Sequence, residues 1–466
     1  MGISSLGVGS GILTQSVLDQ LRKADDSQRI TPLTLKIANE NDKSTTVDVL
    51  QASMVNLRDA ANEMQNVDLF NTRNASVTGT SVSVTASLGS AVQDFTLNVT
   101  QLATKQINES GSYSADTALV ATVGATGGAS MNLSVGVNSY TINYDNTTTL
   151  SGLKDAINSV AGSDVTASIV QVTTGDYRLF LNAKNEGSNQ NISITDTSGF
   201  LSDDGGVTAG GTNLTSGASI IQNGLDANFT YNGQAIVRSS NNVTDLVSGY
   251  DITLKELGSS KVSVTQDRTN FDTRVDSFVS QYNAAVTELS KETKSSTNSS
   301  VRGIFSGDSI VKNMKTTVQN MMDLISNAGG NMTNYGFSID RYGVMSVDKT
   351  VLHTKMDTNI ANVKAFFVGG DYTDTAGTVT TLTGAFSSMY TTVNNMTKTN
   401  GDISKVKTNI TDNITALTDR KTSATKQLDV KYAILKRKYT AFNTLINKFN
   451  SASSIFTQLT TQTTKP

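Results

Sequence analysis

From Asp402 to Lys465 the chain contains neither proline nor glycine. Within that stretch Leu428, Leu435, Phe442, Phe449 and Phe456 recur every seven residues, with Tyr432, Tyr439 and Ile446 four residues after the first three. A seven-residue apolar repeat in an unbroken helix former specifies a long helix with one narrow apolar seam. A second seam runs near the other end of the chain. Val47, Leu50, Met54, Leu57, Ala61 and Met64 follow one another in steps of 3-4-3-4-3. Neither stripe can be buried by its own helix, and isolated helices are marginal in water. The two ends are therefore predicted to pack on each other, on another subunit, or both.

Between the ends the period changes from about 3.5 to two. "SVSVTAS" (81–87), "DFTLNVTQLA" (94–103), "NSYTINY" (138–144), "YRLFLNA" (177–183), "YDITLKE" (250–256) and "KVSVTQ" (261–266) alternate apolar with polar residues. Clusters of glycine and asparagine separate them, as in antiparallel sheets with one wet face. A short helical pattern, "TLSGLKDAINSV" (149–160), sits among these strands, and the glycine-rich stretches 123–128 and 205–211 read as loops. Helical stripes return after Arg268. One is Phe271, Val275, Phe278, Tyr282, Val286 and Leu289; another is Ile310, Met314, Val318, Met321 and Ile325, with Asp308 placed to cap it. "YGFSIDRYGVMSVD" (335–348) interrupts them as a hairpin with Gly343 in its turn. Pro32 divides the first helical segment in two. At 466 residues more than one domain is expected. The expected fold class is α+β multidomain, with discontinuous terminal helices or coiled coil and a helical leg enclosing β-rich head subdomains.

Several chemistries are excluded by what is missing. With no cysteine there are no disulfides, thiolate metal sites or thiol nucleophiles. With one histidine, His353, a zinc site of several imidazoles cannot form within the chain. His353 lies in a helical pattern and reads as a surface or packing residue. No G-x-S-x-G elbow is present, and "DDGG" (203–206) lacks the spaced ligands of a calcium loop and reads as a turn. These absences favour a non-enzymatic protein without cofactor or metal. A net charge of −3 without a nucleic-acid-binding motif gives no reason to expect nucleic acid. No run approaches 18 apolar residues, so no membrane insertion is expected.

The opening "MGISSLGVGSGILTQSVLDQL" fits neither an acylation signal, since Leu6 stands where Ser or Thr is needed, nor a secretory signal with a basic start and unbroken apolar run. Gly7, Gly9 and Gly11 do not follow a strand, so a phosphate-binding loop is not expected. The segment reads as one that orders only against partners.

Taken in order, these segments resemble the flagellar filament cap family, the flagellar hook-associated protein 2 family. The start "ISSLGVGSGI...VLDQL", the V-x-Q-L-A of "DFTLNVTQLATKQ" (94–106) and the module "TLSGLKDAIN...DVTASIV...GDYRLFLNAKNEG" (149–187) are similar to that family. So is "NGLDANFTYNGQAIVRSSNNVTDLVSGYDITL" (223–254), with G-x-D-A, N-G, R-S-S-N and D-x-x-x-G in series. "FVSQYNAAVTEL", "GIFSGDSIVKNM", "YGFSIDRYGVMSVDKTVL" and the last helix follow in the family's order.

The resemblance implies a non-enzymatic homo-oligomeric ring, commonly a pentamer, at the distal tip of the extracellular filament, promoting insertion of exported flagellin. It implies export through the flagellar type III apparatus. The implied partners are flagellin, the hook–filament junction protein, and a cytoplasmic export chaperone at the C-terminal helix. Four regions are expected. Residues 1–43 with 402–466 form terminal coiled-coil segments that contact the filament. Residues 44–72 with 268–401 form a helical leg, 73–120 with 220–267 a β-rich head, and 121–219 a second, inserted β-rich head. The expected partner interface is the terminal seam: Val47, Leu50, Met54, Leu57, Leu428, Leu435, Phe442, Phe449 and Phe456. A different extracellular flagellar structural protein, such as flagellin or the junction protein, or a tip adhesin, is the alternative.

Overall fold

The computed structural model describes residues 14–121, 125–201, 220–323 and 325–462. The opening glycine-rich segment up to Gly11, the Asp203-Asp204 turn, the 205–211 loop and the start of the 123–128 loop lie outside these residues. The chain forms two compact units, one of residues 1–67 and 269–466 and one of residues 68–268. Eight α-helices occur among the described residues: α1 (Gln15–Arg29), α2 (Thr31–Glu63), α3 (Leu150–Ala161), α4 (Thr269–Glu292), α5 (Ser309–Asn320), α6 (Lys349–Val368), α7 (Ala385–Thr397) and α8 (Asp402–Gln462). All but α3 belong to the first unit.

The first unit is built around α2, which packs on α4, α7 and α8. Pro32 stands in the first turn of α2, where a missing N–H breaks no helical bond, so it starts a new helix. The Ile30 N–H bonds the Asp26 carbonyl at 2.8 Å and closes α1 just before it. The side chain of Asp308 caps α5 by accepting from the Val311 N–H at 3.0 Å. Residues 337–339 and 345–347 pair as the expected hairpin, and Gly343 takes φ +86°, the left-handed region its turn requires. Two further hairpins, 326–327 with 330–331 and 369–373 with 379–383, carried no alternating pattern. An aromatic cluster fills the centre, where Phe367 meets Phe386 edge-on at 5.2 Å and Tyr335 stacks on Phe366 at 4.1 Å. Such pairs add to their area burial.

The second unit holds β1 (Arg73–Thr78), β2 (Val82–Ala86), β3 (Gln93–Gln101), β4 (Ile107–Glu109), β5 (Ala129–Val135), β6 (Asn138–Tyr144), β7 (Val165–Thr173), β8 (Asp176–Ala183), β9 (Ile192–Asp196), β10 (Ile220–Gln222), β11 (Ala227–Tyr231), β12 (Gln234–Arg238), β13 (Asn242–Val243), β14 (Tyr250–Leu254) and β15 (Gly258–Gln266). Its apolar residues form two clusters. One lies between a five-stranded sheet, β1-β15-β3-β11-β12, and a three-stranded one, β13-β14-β2, and contains Phe95, Leu97, Phe229, Ile252 and Val262. The other contains Met131, Leu133, Ile142, Leu153, Ile157 and Leu181, from sheets β10-β4-β8-β7 and β6-β5-β9 together with α3. Strand pairing within the sheets is antiparallel throughout the described residues. Asn232 and Gly233 both have positive φ, so the N-G pair forms the two-residue turn of the β11–β12 hairpin.

The chain's many asparagines have a specific use. Four asparagine amides and one glutamine amide grip both backbone groups of a residue 9 to 138 positions away, as a neighbouring strand would. Asn241 accepts from the Ala103 N–H at 2.9 Å and donates to the Ala103 carbonyl at 2.8 Å. Asn158 treats Ala167 the same way, as do Asn283 with Met345, Asn362 with Thr373 and Gln106 with Ile192. A primary amide carries one donor and one acceptor side by side, so it can satisfy a peptide that no strand reaches. Two sequence motifs meet in one such contact, since Ala103 ends V-x-Q-L-A and Asn241 ends R-S-S-N. Nearby, both oxygens of Asp226 accept from Ser188, and Arg238 donates to Asp245 at 3.0 Å. The conspicuous polar motif of residues 224–249 therefore holds sheets together.

Candidate interaction surface

At about 1.5 Å per residue, α8 is roughly 90 Å long, and its environment changes along that length. Its first turns are sunk in the helical unit, with Ile403, Val406 and Ile410 buried. Threonine hydroxyls at 408, 411, 415, 425, 440 and 444 donate to the carbonyl four residues earlier. Each hydroxyl thus finds its acceptor within the helix itself.

The nine seam residues do not form one surface. Val47, Leu50, Met54 and Leu57 on α2 are at most 1% exposed, inside the packing of α2 with its neighbouring helices. Leu428 is buried too, and Leu435 is half-buried. Beyond them the seam opens: Phe442 is 54% exposed, Phe449 68% and Phe456 71%. The inner part of the repeat is consumed by the chain itself. The outer part leaves three phenylalanines on one helix face, which water disfavours by roughly 25 cal/mol per Å² of apolar area. An exposed apolar line of this kind is a candidate interaction surface.

Where the seam closes, α1 lies along α8. The contacts of Asp48 with Lys407 at 2.6 Å and of Asp25 with Tyr432 at 2.8 Å show that α1 and α2 run antiparallel to α8. Leu18 is the one buried residue of α1. Val17 and Ile30 are half-buried, and the specific side-chain contacts to α8 are polar. Arg22 donates from Nη1 to Asp429 at 2.7 Å and from Nε to Asp26 at 2.9 Å. Asp25 accepts from Lys431 at 2.7 Å and from the Tyr432 hydroxyl. The cations of Arg22 and Lys431 lie 5.6 and 5.5 Å from the Tyr432 ring centre. Lys431 first, and then Tyr432, hold the Asp25 carboxyl below its ordinary range. Partial burial and the bond to Asp25 push the Tyr432 hydroxyl up to about 12. Sequence reading missed this cluster. The Arg22–Asp26 spacing of four was a visible helical ion pair, but nothing local pointed to α8.

No catalytic constellation competes with this surface among the described residues. His353 on α6 bonds Asp272 of α4 at 2.8 Å, a contact between two packed helices. No group of three or more His, Cys, Asp or Glu side chains there could hold a metal ion, and no helix among the described residues is long and apolar enough to cross a membrane.

Comparison with known proteins agrees with the architecture. The family models described as flagellar hook-associated protein 2 N-terminus and C-terminus match residues 10–106 and 224–451. The flagellar hook-associated protein 2 of Campylobacter jejuni subsp. jejuni serotype O:2 is 29% identical over 419 residues, spanning 78% of this chain and 64% of that protein. The chain thus covers a little under two thirds of that relative's length. The protein of the same name from Escherichia coli K12 is 26% identical over 388 residues, spanning 79% of this chain and 80% of that one. The D1-D2-D3 domains of the Escherichia coli flagellar cap protein superpose with a TM-score of 0.56 over 78% of this chain and 99% of theirs. At 22% identity that likeness is one of fold. Matched in order by both family models over its two ends, the chain belongs to the flagellar hook-associated protein 2 family, the filament cap proteins of the bacterial flagellum.

Proposed function

We propose that this chain caps the growing flagellar filament: it assembles as a homo-oligomeric ring, with a pentamer the expected number, at the distal tip outside the cell and promotes ordered insertion of exported flagellin. The observation that carries the reading is the line Phe442, Phe449 and Phe456, left exposed at the end of a helix whose inner turns are firmly packed. A scaffold that must hold and release successive subunits needs contacts of modest size, and a narrow helical face supplies them. The same face, free in the cytoplasm, is the natural binding site for an export chaperone, and at the filament base for the junction protein. The protein acts by binding and positioning; no step of the reading requires bond-making chemistry.

Deletion of the gene, with microscopy of the cells and assay of the medium for flagellin, tests the proposal. Bald or stub-bearing cells shedding flagellin monomers support a cap that promotes growth. Normal filaments with little free flagellin overturn it.

A further inference from the structure

We infer that α1 is a releasable strap, latched on α8 by the charge cluster of Arg22, Asp25, Asp429, Lys431 and Tyr432, and that releasing it lengthens the apolar face α8 offers to a partner. The first half rests on the α1–α8 geometry alone. The second half rests on reading the distal face of α8 as the partner surface.

The two antiparallel stretches along α8 are fastened differently. Along the second half of α2 the contact is made by buried apolar side chains, Val47, Leu50, Met54 and Leu57, which cannot separate without exposing a core. Along α1 only Leu18 is buried, at 3% exposure. Val17 and Ile30 are half-buried, and the named contacts to α8 are ion pairs and one hydroxyl between side chains left partly in water: Asp25 and Arg22 about a quarter exposed, Lys431 and Asp429 more than half. Partly exposed pairs are individually weak and are screened by salt. The hinge is already present, because α1 ends at Arg29 and Pro32 begins a separate helix. Opening between Ile30 and Thr31 keeps the Ile30 N–H bond to the Asp26 carbonyl and breaks only the 3.3 Å bond from the Thr31 hydroxyl to that carbonyl.

The position of the strap gives it a consequence. Asp25 sits beside Tyr432, so in an antiparallel pair Leu18, two turns earlier on α1, lies beside the turn of α8 that carries Leu435 and Tyr439. Leu435 is the seam position immediately before Phe442. With α1 closed, the exposed line on α8 starts at Phe442; with α1 released, it extends back through Leu435 towards Leu428. A flagellin subunit of the filament that binds the longer line competes with α1, and the charge cluster sets how hard it must compete.

The chain has no cysteine, so spin labels can be placed cleanly on the full-length protein. One label pair at Gln20→Cys and Ala441→Cys reports the strap; a second at Thr45→Cys and Asn409→Cys reports the α2–α8 trunk. Pulsed distance measurements are made at low salt and in about 1 M salt, where the Debye length falls to ~3 Å, and repeated in Asp25→Ala, which keeps a good helix former in α1. The expected result is a rise of about two- to fivefold in the open-to-closed ratio of the strap pair, both in high salt and in Asp25→Ala, with the trunk pair unchanged. A strap pair unmoved by both changes overturns the latch, and so does a trunk that opens together with the strap. Binding of the same proteins to isolated flagellar filaments is then compared. Tighter binding by Asp25→Ala supports the competition. An open strap with unchanged binding overturns the second half alone. No binding by the native protein either counts against the cap reading and leaves the latch standing on the distances.

Discussion

The bidentate contact of Asn241 with Ala103 gives the sharpest energetic prediction. Ala103 is buried, at 4% exposure, and its N–H and carbonyl are held by the Asn241 amide at 2.9 and 2.8 Å. Asn241→Ala removes both partners and leaves a donor and an acceptor short of hydrogen bonds. Each unmade bond costs about 1–3 kcal/mol. Allowing for water that reaches the cavity left by the side chain, the total is about 2–4 kcal/mol. For a cooperative unit spanning residues 68–268, that corresponds to a fall in Tm of about 5–10 °C. Asn241→Asp keeps the shape but replaces the donor with a second acceptor, aimed at the Ala103 carbonyl; it is expected to cost at least as much. Calorimetry of the full chain measures the shift. Hydrogen exchange across residues 99–107 and 238–243 assigns it to this contact. If Asn241→Asp melts within about 1 °C of the native protein, the amide donor contributes nothing and the surrogate-strand account of these asparagines is wrong.

Three other perturbations follow from the same geometry. Replacing Phe442, Phe449 and Phe456 together with Ser should change thermal stability little, since exposed substitutions stay within about 0.5 kcal/mol each, yet should abolish filament capping; a large loss of stability or unimpaired filament growth would contradict the split of the seam. Met54→Ala should destabilise the helical unit by about 2–5 kcal/mol, read by denaturant unfolding, because Met54 is fully buried; a change below about 1 kcal/mol would show that the site collapses around the gap. The strap should also respond to pH in a definite sense. The groups facing Asp25 and Tyr432 are Arg22, Asp26 and Arg29 on α1 and Lys431 on α8, with Asp429 paired to Arg22. A depressed carboxyl contributes its hold above its free pKa of ~3.9 and loses it as pH falls through the bound value. A raised phenol contributes fully below its free pKa of ~10 and loses its hold as pH rises through the bound value, here about 12. The label distances on α1 should therefore stay constant from about pH 5 to pH 9 and lengthen outside that window; opening near neutrality would refute the assignment of these two groups.

The type and order of the elements were legible in the sequence because they depend on local geometry. Alternation at "DFTLNVTQ" places every second side chain on one sheet face, and β3 has that burial pattern. The uninterrupted stretch after Gly401 could only be a long helix, and α8 is one. The same local rules placed the Asp308 cap and the Gly343 turn. They say nothing about which half of a seven-residue repeat finds a partner inside the chain. Val47 and Phe442 obey the same periodicity, yet one is buried and the other is more than half exposed. Only the packing of α2 among α4, α7 and α8 decided that, because burial depends on what arrives from elsewhere in the chain. The most telling contacts are of this kind: Asn241 grips a residue 138 positions away, and Arg22 reaches one 407 positions away. An asparagine in a turn and an arginine on a helix have ordinary local signatures. Their roles exist only after folding brings an unpaired peptide to the one and a carboxylate to the other, and distance along the chain leaves no trace of either in the pattern of residues around them.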